Sequence, residues 1–158
     1  MSEVNIKEII NELETMLPNR NDIRNYVWSH LKGPIEKELH EWIIKNVKSY
    51  GSWKVKYRKD GKLGYCGWIF NNRRNGHWQY YYTNGDLRKD VYLRNNKYHG
   101  KCSFWKINGS YEVRHYYKGK LHGERYRYRS DGTLFQKHVY DMGKPKEFYG
   151  QVELGLDK

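Results

Sequence analysis

The stretch that decides the fold runs from Leu121 to Lys144 and reads LHGERYRYRSDGTLFQKHVYDMGK. It opens on His122-Gly123, alternates through Arg125-Tyr126-Arg127-Tyr128-Arg129, breaks at Asp131-Gly132, resumes at Leu134 and closes on Met142-Gly143-Lys144. Alternation with period two marks a strand, because successive side chains point to opposite sides of the pleat. Asp-Gly tolerates the positive φ angles of a tight type I′ turn, so the segment reads as a β-hairpin. The same alternation predicts Tyr126 and Tyr128 on one side of the sheet and three arginines on the other, one face aromatic and one face cationic.

The pattern recurs along the chain. One glycine series is Gly51, Gly76, Gly100 and Gly123; a second is Gly61, Gly85, Gly109 and Gly132, and both step by 23 to 25 residues. Each glycine of the second series follows Asp or Asn, as in Asp60-Gly61, Asn84-Gly85 and Asn108-Gly109. Four residues before them stand Tyr57, Tyr81, Trp105 and Tyr128; two after stand Leu63, Leu87, Tyr111 and Leu134; eight after stand Ile69, Leu93, Tyr117 and Tyr140. Columns of large side chains at fixed offsets are what stacked strands need, since only neighbours can cover one another. Asn71-Asn72, Asn95-Asn96, Lys118-Gly119 and Met142-Gly143 supply turn chemistry between the hairpins. The prediction is a single-layer antiparallel β-meander of about four hairpin repeats and about eight strands over residues 50–150, with Pro145 to Gly150 beginning a degenerate last unit. Residues 151–158 read as a frayed tail.

Residues 1–49 read as a helical capping segment, which makes the fold class α+β. Ile6, Ile9, Ile10, Leu13, Met16 and Leu17 form one apolar stripe of helical period, with Ser2 as N-cap and Pro18 as stop. A second helix is expected from Asn21 or Asp22, burying Ile23, Tyr26, Val27 and Leu31 and ending at Gly33. A third opens with Pro34 and carries Ile35, Leu39, Trp42, Ile43 and Val47. Such helices are expected to pack on each other and to cover one end of the sheet.

The units His99-Gly100-Lys101 through Lys118-Gly119-Lys120, and Leu121-His122-Gly123-Glu124 through Met142-Gly143-Lys144, resemble MORN repeats, in the variant with HG, an aromatic, an NG or DG turn, Leu, an aromatic and GK. The first unit departs from the pattern, with Tyr50 in place of histidine and Gly64 and Gly67 extra. The resemblance implies a scaffold or protein-interaction module without catalytic residues. Repeats of this family occur in bacterial antitoxin-component annotations and in large DNA viruses of amoebae, which implies a viral structural or virion-associated role, in the host cell or virion. In those viruses they can follow an F-box-like N-terminus, and Leu17-Pro18 with Ile23, Val27 and Leu31 is loosely similar to the start of one.

Composition bounds the function. The chain of 158 residues carries a formal charge of +12, and the excess is uneven: residues 1–50 hold 7 basic and 8 acidic side chains, residues 51–158 hold 23 and 10. Six Trp, 16 Tyr and 4 Phe set it apart from disordered chains and predict a thin, ring-built core. No run of about 18 apolar residues exists, and the start, with Glu3, Lys7 and Glu8, reads as neither a membrane span nor a secretory signal. Cys66 and Cys102 read as free thiols, consistent with an intracellular, cytoplasmic setting. The histidines fall at repeat positions and read as structural, no hydrolase, kinase, dinucleotide or zinc-protease motif is present, and neither an enzyme, a cofactor, a metal nor a small-molecule substrate is expected. Binding remains, with a protein partner or self-association first. The alternatives are nucleic acid or an anionic membrane surface, with Lys54, Lys56, Arg73, Arg74, Arg125, Arg127 and Arg129 as the candidate anion-binding residues.

Overall fold

The computed structural model describes residues 6–15, 20–30, 37–47 and 51–150. Three helices, α1 (Ile6–Thr15), α2 (Arg20–His30) and α3 (Lys37–Val47), precede nine strands. These are β1 (Ser52–Tyr57), β2 (Leu63–Phe70), β3 (Arg73–Tyr81), β4 (Leu87–Arg94), β5 (Lys97–Trp105), β6 (Tyr111–Tyr117), β7 (Lys120–Tyr128), β8 (Leu134–Asp141) and β9 (Lys144–Tyr149). They form one antiparallel sheet in strictly consecutive order. The cap and stop residues Ser2, Pro18, Gly33 and Pro34, the F-box-like Leu17 and Leu31, and the tail all lie outside the described residues.

The strand count exceeds the expected eight because the segment after Gly143 pairs fully. Pro145 stands opposite Tyr140 within β9. An edge strand needs its N–H groups on one side only, so proline is tolerated there.

The Asp-Gly and Asn-Gly hairpins differ from the expectation, whereas the turns expected between them are present. In the Asp-Gly and Asn-Gly hairpins only the glycine has positive φ, for example Gly109 at 84°. The N–H of Gly109 donates to the Lys106 carbonyl at 3.0 Å, and Lys106 N–H donates to the Ser110 carbonyl at 2.9 Å. That is a type I turn followed by a left-handed glycine, a three-residue loop. The preceding Asp or Asn is chosen for its side chain: Oδ1 of Asp60, Asn84, Asn108 and Asp131 accepts the N–H two residues on, at 3.1, 3.0, 3.1 and 2.9 Å. The two-residue type I′ geometry sits at the other end of the strands, where Asn71-Asn72 and Asn95-Asn96 have positive φ throughout, and Lys118 and Met142 adopt φ of 49° and 48° before their glycines.

Two apolar clusters lie on opposite sides of the first strands. On the back, Leu13, Ile23, Val27, Trp28, Leu39 and Ile43 from the helices meet Trp68, with Trp53 and Phe70 beside them. On the front, Trp78, Val91, Leu93 and Cys102 are buried, flanked by Tyr65, Ile69, Tyr80, Tyr98, Phe104 and Tyr116. Gly67, an irregularity in the sequence pattern, has a structural reason: a Cβ there would lie 2.2 Å from the Trp78 ring. Its absence lets the indole lie flat on β2 while its N–H donates to the Trp68 carbonyl at 3.1 Å. Both cysteines are buried and unbridged, and burial pushes the Cys102 thiol up to about 11.

A candidate docking face of rings and guanidiniums

The register puts Tyr65, Tyr80, Lys89, Phe104, Glu112, Arg127 and Gln136 in one cross-strand row of the front face. A second row runs Lys54, Gly67, Trp78, Val91, Cys102, Arg114, Arg125, His138, Phe148. Rings and cations therefore share this face, which corrects the expectation of one aromatic and one cationic side. Arg125 lies in the row that holds buried Trp78 and Arg127 in the row that holds Tyr80, and Tyr126 and Tyr128 point to the back. The reason is visible in Tyr80-Tyr81-Tyr82: consecutive rings must go to opposite faces, so neither side can be purely aromatic.

The cations lie on the rings. Arg74 stands 5.6 Å from the Trp78 ring centre and donates to the Tyr80 hydroxyl at 2.8 Å. Lys89 is 5.8 and 5.9 Å from the rings of Tyr80 and Phe104, and Arg114 is 4.7 Å from Phe104. Burial, with Arg88, Arg114 and Arg74 nearby, lowers the Lys89 pKa.

One carboxylate organises the guanidiniums. Glu112 Oε2 accepts from Arg114 Nε and Nη2 at 2.9 and 2.8 Å, and from Arg125 Nε and Nη2 at 3.0 and 2.9 Å; Arg127 Nε lies 3.5 Å from Oε1. Arg114 also donates to the Tyr116 hydroxyl at 3.3 Å, and Arg127 to Gln136 Oε1 at 2.6 Å. Burial would raise the Glu112 carboxyl, but the hydrogen bonds and charge of Arg114 and then Arg125 outweigh it and hold the group below the usual carboxylate range. One negative charge facing three positive ones leaves a surplus in a fixed arrangement. Of the other strand carboxylates, Asp90, Glu124 and Glu147 pair with back-face neighbours in the register and Asp141 lies 3.3 Å from His122, so they do not offset it.

The expected anion-binding residues divide accordingly. Arg74, Arg125 and Arg127 belong to this face; Lys54 and Lys56 extend it at the β1 edge, exposed; Arg73 is exposed at the start of β3. Arg129 lies in a turn, its guanidinium 5.0 Å from the Phe135 ring. Of the expected aromatic column, Trp105 and Tyr128 meet through Tyr111 on the back, at 6.3 and 4.4 Å, whereas Tyr81 bonds Gln79 and Tyr57 is 62 % exposed. Lys89, Glu112 and Arg114 were not among the sequence candidates. Their signal lies in cross-strand register, not in local pattern.

The glycine series Gly51, Gly76, Gly100 and Gly123 has positive φ throughout and marks irregularities in pairing. While β4 advances from Val91 to Leu93, β5 runs from Cys102 back to Tyr98. The residue before each of the last three glycines faces the turn beyond: Asn75 Oδ1 accepts from Asn95 N–H at 2.9 Å, His99 Nδ1 from Lys118 N–H and His122 Nδ1 from Met142 N–H, both at 3.4 Å. The next turn amide in each case bonds a strand carbonyl, Arg74, Tyr98 or Leu121, at 3.0, 2.8 and 2.7 Å. His99 and His122 thus hold turns to the neighbouring hairpin. Among the described residues no group of three His, Cys, Asp or Glu side chains is placed to hold a metal, and no helix is long and apolar enough to cross a membrane. Compared with known proteins, the chain matches no family model, and no curated protein sequence matches it.

Proposed function

We propose that this chain is a non-enzymatic binding module, a MORN-type scaffold of four hairpin repeats with the N-terminal helices covering one end, that docks an acidic protein surface on the front face. The observation that supports this most is the Glu112 centre, where guanidiniums fixed by cross-strand neighbours already grip a carboxylate and retain surplus charge. Preorganised arginines lose less entropy on binding a second carboxylate than mobile ones would. Nucleic acid is the second reading, favoured by rings interleaved with cations. It ranks lower because the faces of Trp78, Tyr80 and Phe104 are already occupied by the protein's own Arg74, Lys89 and Arg114, leaving little ring surface for bases.

The test is binding of poly-glutamate, single-stranded DNA and anionic vesicles to the whole chain across a salt series. The expected result is salt-sensitive binding of poly-glutamate, reduced at least several-fold by Arg74→Gln with Lys89→Gln, at unchanged melting temperature. Vesicle binding in preference to poly-glutamate, DNA binding that the double substitution weakens more than it weakens poly-glutamate binding, or poly-glutamate binding indifferent to the double substitution, overturns it.

A further inference from the structure

The three-residue loops lie side by side along one edge of the sheet, and equivalent residues begin them: Arg58, Tyr82, Lys106 and Arg129. In the first gap Arg58 Nη2 donates to the Tyr81 carbonyl, and Lys62 Nζ reaches the Thr83 and Asn84 carbonyls at 3.3 and 3.5 Å. In the second, the Tyr82 hydroxyl donates to the Trp105 carbonyl at 2.8 Å. The third gap breaks the pattern. Lys106 makes no corresponding bond to Tyr128 among the described residues, and a cleft of about 270 Å³ opens there.

Its lining has a definite chemistry. Tyr111 and Tyr128 stack at 4.4 Å and 9° along one wall. Phe135 lies on another, with the guanidiniums of Arg127 and Arg129 at 5.3 and 5.0 Å from its ring centre. Lys106 and Arg129 are exposed at the rim. Glu112, the one carboxylate in the lining, is already held by Arg114, Arg125 and Arg127. Flat rings beside guanidiniums and a lysine suit a ligand that is both planar and anionic. The volume, at the low end of ligand pockets at about 300 Å³, suits a single such unit.

We propose that the cleft between the third and fourth loops binds a nucleotide, its base against the tyrosine stack and its phosphate between Lys106 and Arg129. The source is a free mononucleotide or the phosphorylated end of a nucleic-acid strand. This site is separate from the front-face reading, and its residues exclude Arg74 and Lys89, so either can fail alone.

The experiment is calorimetric titration of the full chain with AMP, UMP, adenosine, inorganic phosphate, and a tetranucleotide with and without its 5′-phosphate. Saturable AMP or UMP binding is expected, with adenosine and phosphate at least about tenfold weaker, equivalent to about 1.4 kcal/mol. Lys106→Tyr, which copies Tyr82 and fills the gap, is expected to reduce binding at least about tenfold without lowering the melting temperature. Should that variant prove unstable, Arg129→Gln at the exposed rim carries the same expectation. Tighter binding of the 5′-phosphorylated tetranucleotide than of AMP assigns a strand end, and the reverse assigns a free nucleotide. No saturable nucleotide binding, or wild-type affinity in a folded Lys106→Tyr or Arg129→Gln variant, overturns the proposal.

Discussion

Strands β2–β5 bury Cys66, Trp68, Trp78, Val91, Leu93 and Cys102, whereas in β6–β9 the one buried side chain is Glu112. Both halves are antiparallel hairpins in consecutive order with the same three-residue loops. The difference follows from cover. On the back of the first strands Trp68, with Trp53 and Phe70, joins the apolar cluster of the helices, and the front there buries tryptophan on the other side of the same layer. Farther along, apart from Glu112, the side chains on both faces are half-buried or exposed. There the stabilising contacts are stacked tyrosines and an ion-pair centre whose arginine stems cover neighbouring rings. A single layer can be extended without an apolar interior, provided cross-strand pairs replace it.

The largest effect belongs to the apolar half. Trp78→Ala is expected to cost about 3–5 kcal/mol in denaturant unfolding, because it removes the ring on which Gly67, Tyr65 and Tyr80 pack. A loss below about 1 kcal/mol would mean that the two halves are held alike. In the polar half, Glu112→Gln leaves three guanidiniums without their countercharge and is expected to cost about 2–3 kcal/mol, less than a fully buried pair because the arginines are partly solvated. The pH dependence gives a second check. Since the folded carboxyl is held low, its contribution is complete above the unfolded carboxylate range of about 4.3 and is lost as pH falls through the folded value. That acid-side component is absent from Glu112→Gln.

Smaller effects test the edges. Gly109→Val is expected to cost about 1–2 kcal/mol, since a β-branched residue is strained at a φ of 84° and its Cβ would stand 3.3 Å from Ser130. An unchanged melting temperature would contradict the loop geometry. The smallest change is His99→Asn, which copies Asn75 at the equivalent position and is expected to alter stability by less than about 1 kcal/mol at alkaline pH. Burial, then Arg94 and Lys118, lowers the His99 pKa. A histidine harder to protonate when folded leaves stability complete above about pH 6.5 and erodes it as pH falls through the folded value. Thermal melts at descending pH should show a shallower decline in the asparagine variant.

Much of the fold is legible in the sequence because the meander places its turns at fixed intervals. Gly61, Gly85, Gly109 and Gly132 locate four loops, and Asn71-Asn72 and Asn95-Asn96 locate two of the tight turns. Turn type is not legible from the dipeptide, because the register of flanking pairs sets loop length: Trp105 opposite Tyr111 leaves five residues between the strands, whereas Arg94 opposite Lys97 leaves two. Lys118 and Met142 adopt left-handed backbone that their own preferences disfavour; the amides of Gly119 and Gly143 bond Tyr98 and Leu121 across the sheet and hold it. The docking face is the least legible part. Arg125 and Arg127 stand out locally, but that they share a carboxylate from β6 and a face with Trp78 depends on pairing across several strands.

The consecutive strand order has a kinetic corollary. With each strand paired only to its chain neighbours, every closure in folding is short, so contact order is low for an all-antiparallel sheet. Order can spread outward hairpin by hairpin from the apolar cluster that holds Trp28 and Trp68, in nearest-neighbour fashion. Opening should follow the reverse path, with β9, exposed along most of its length, exchanging its amide hydrogens first and β2–β3 last.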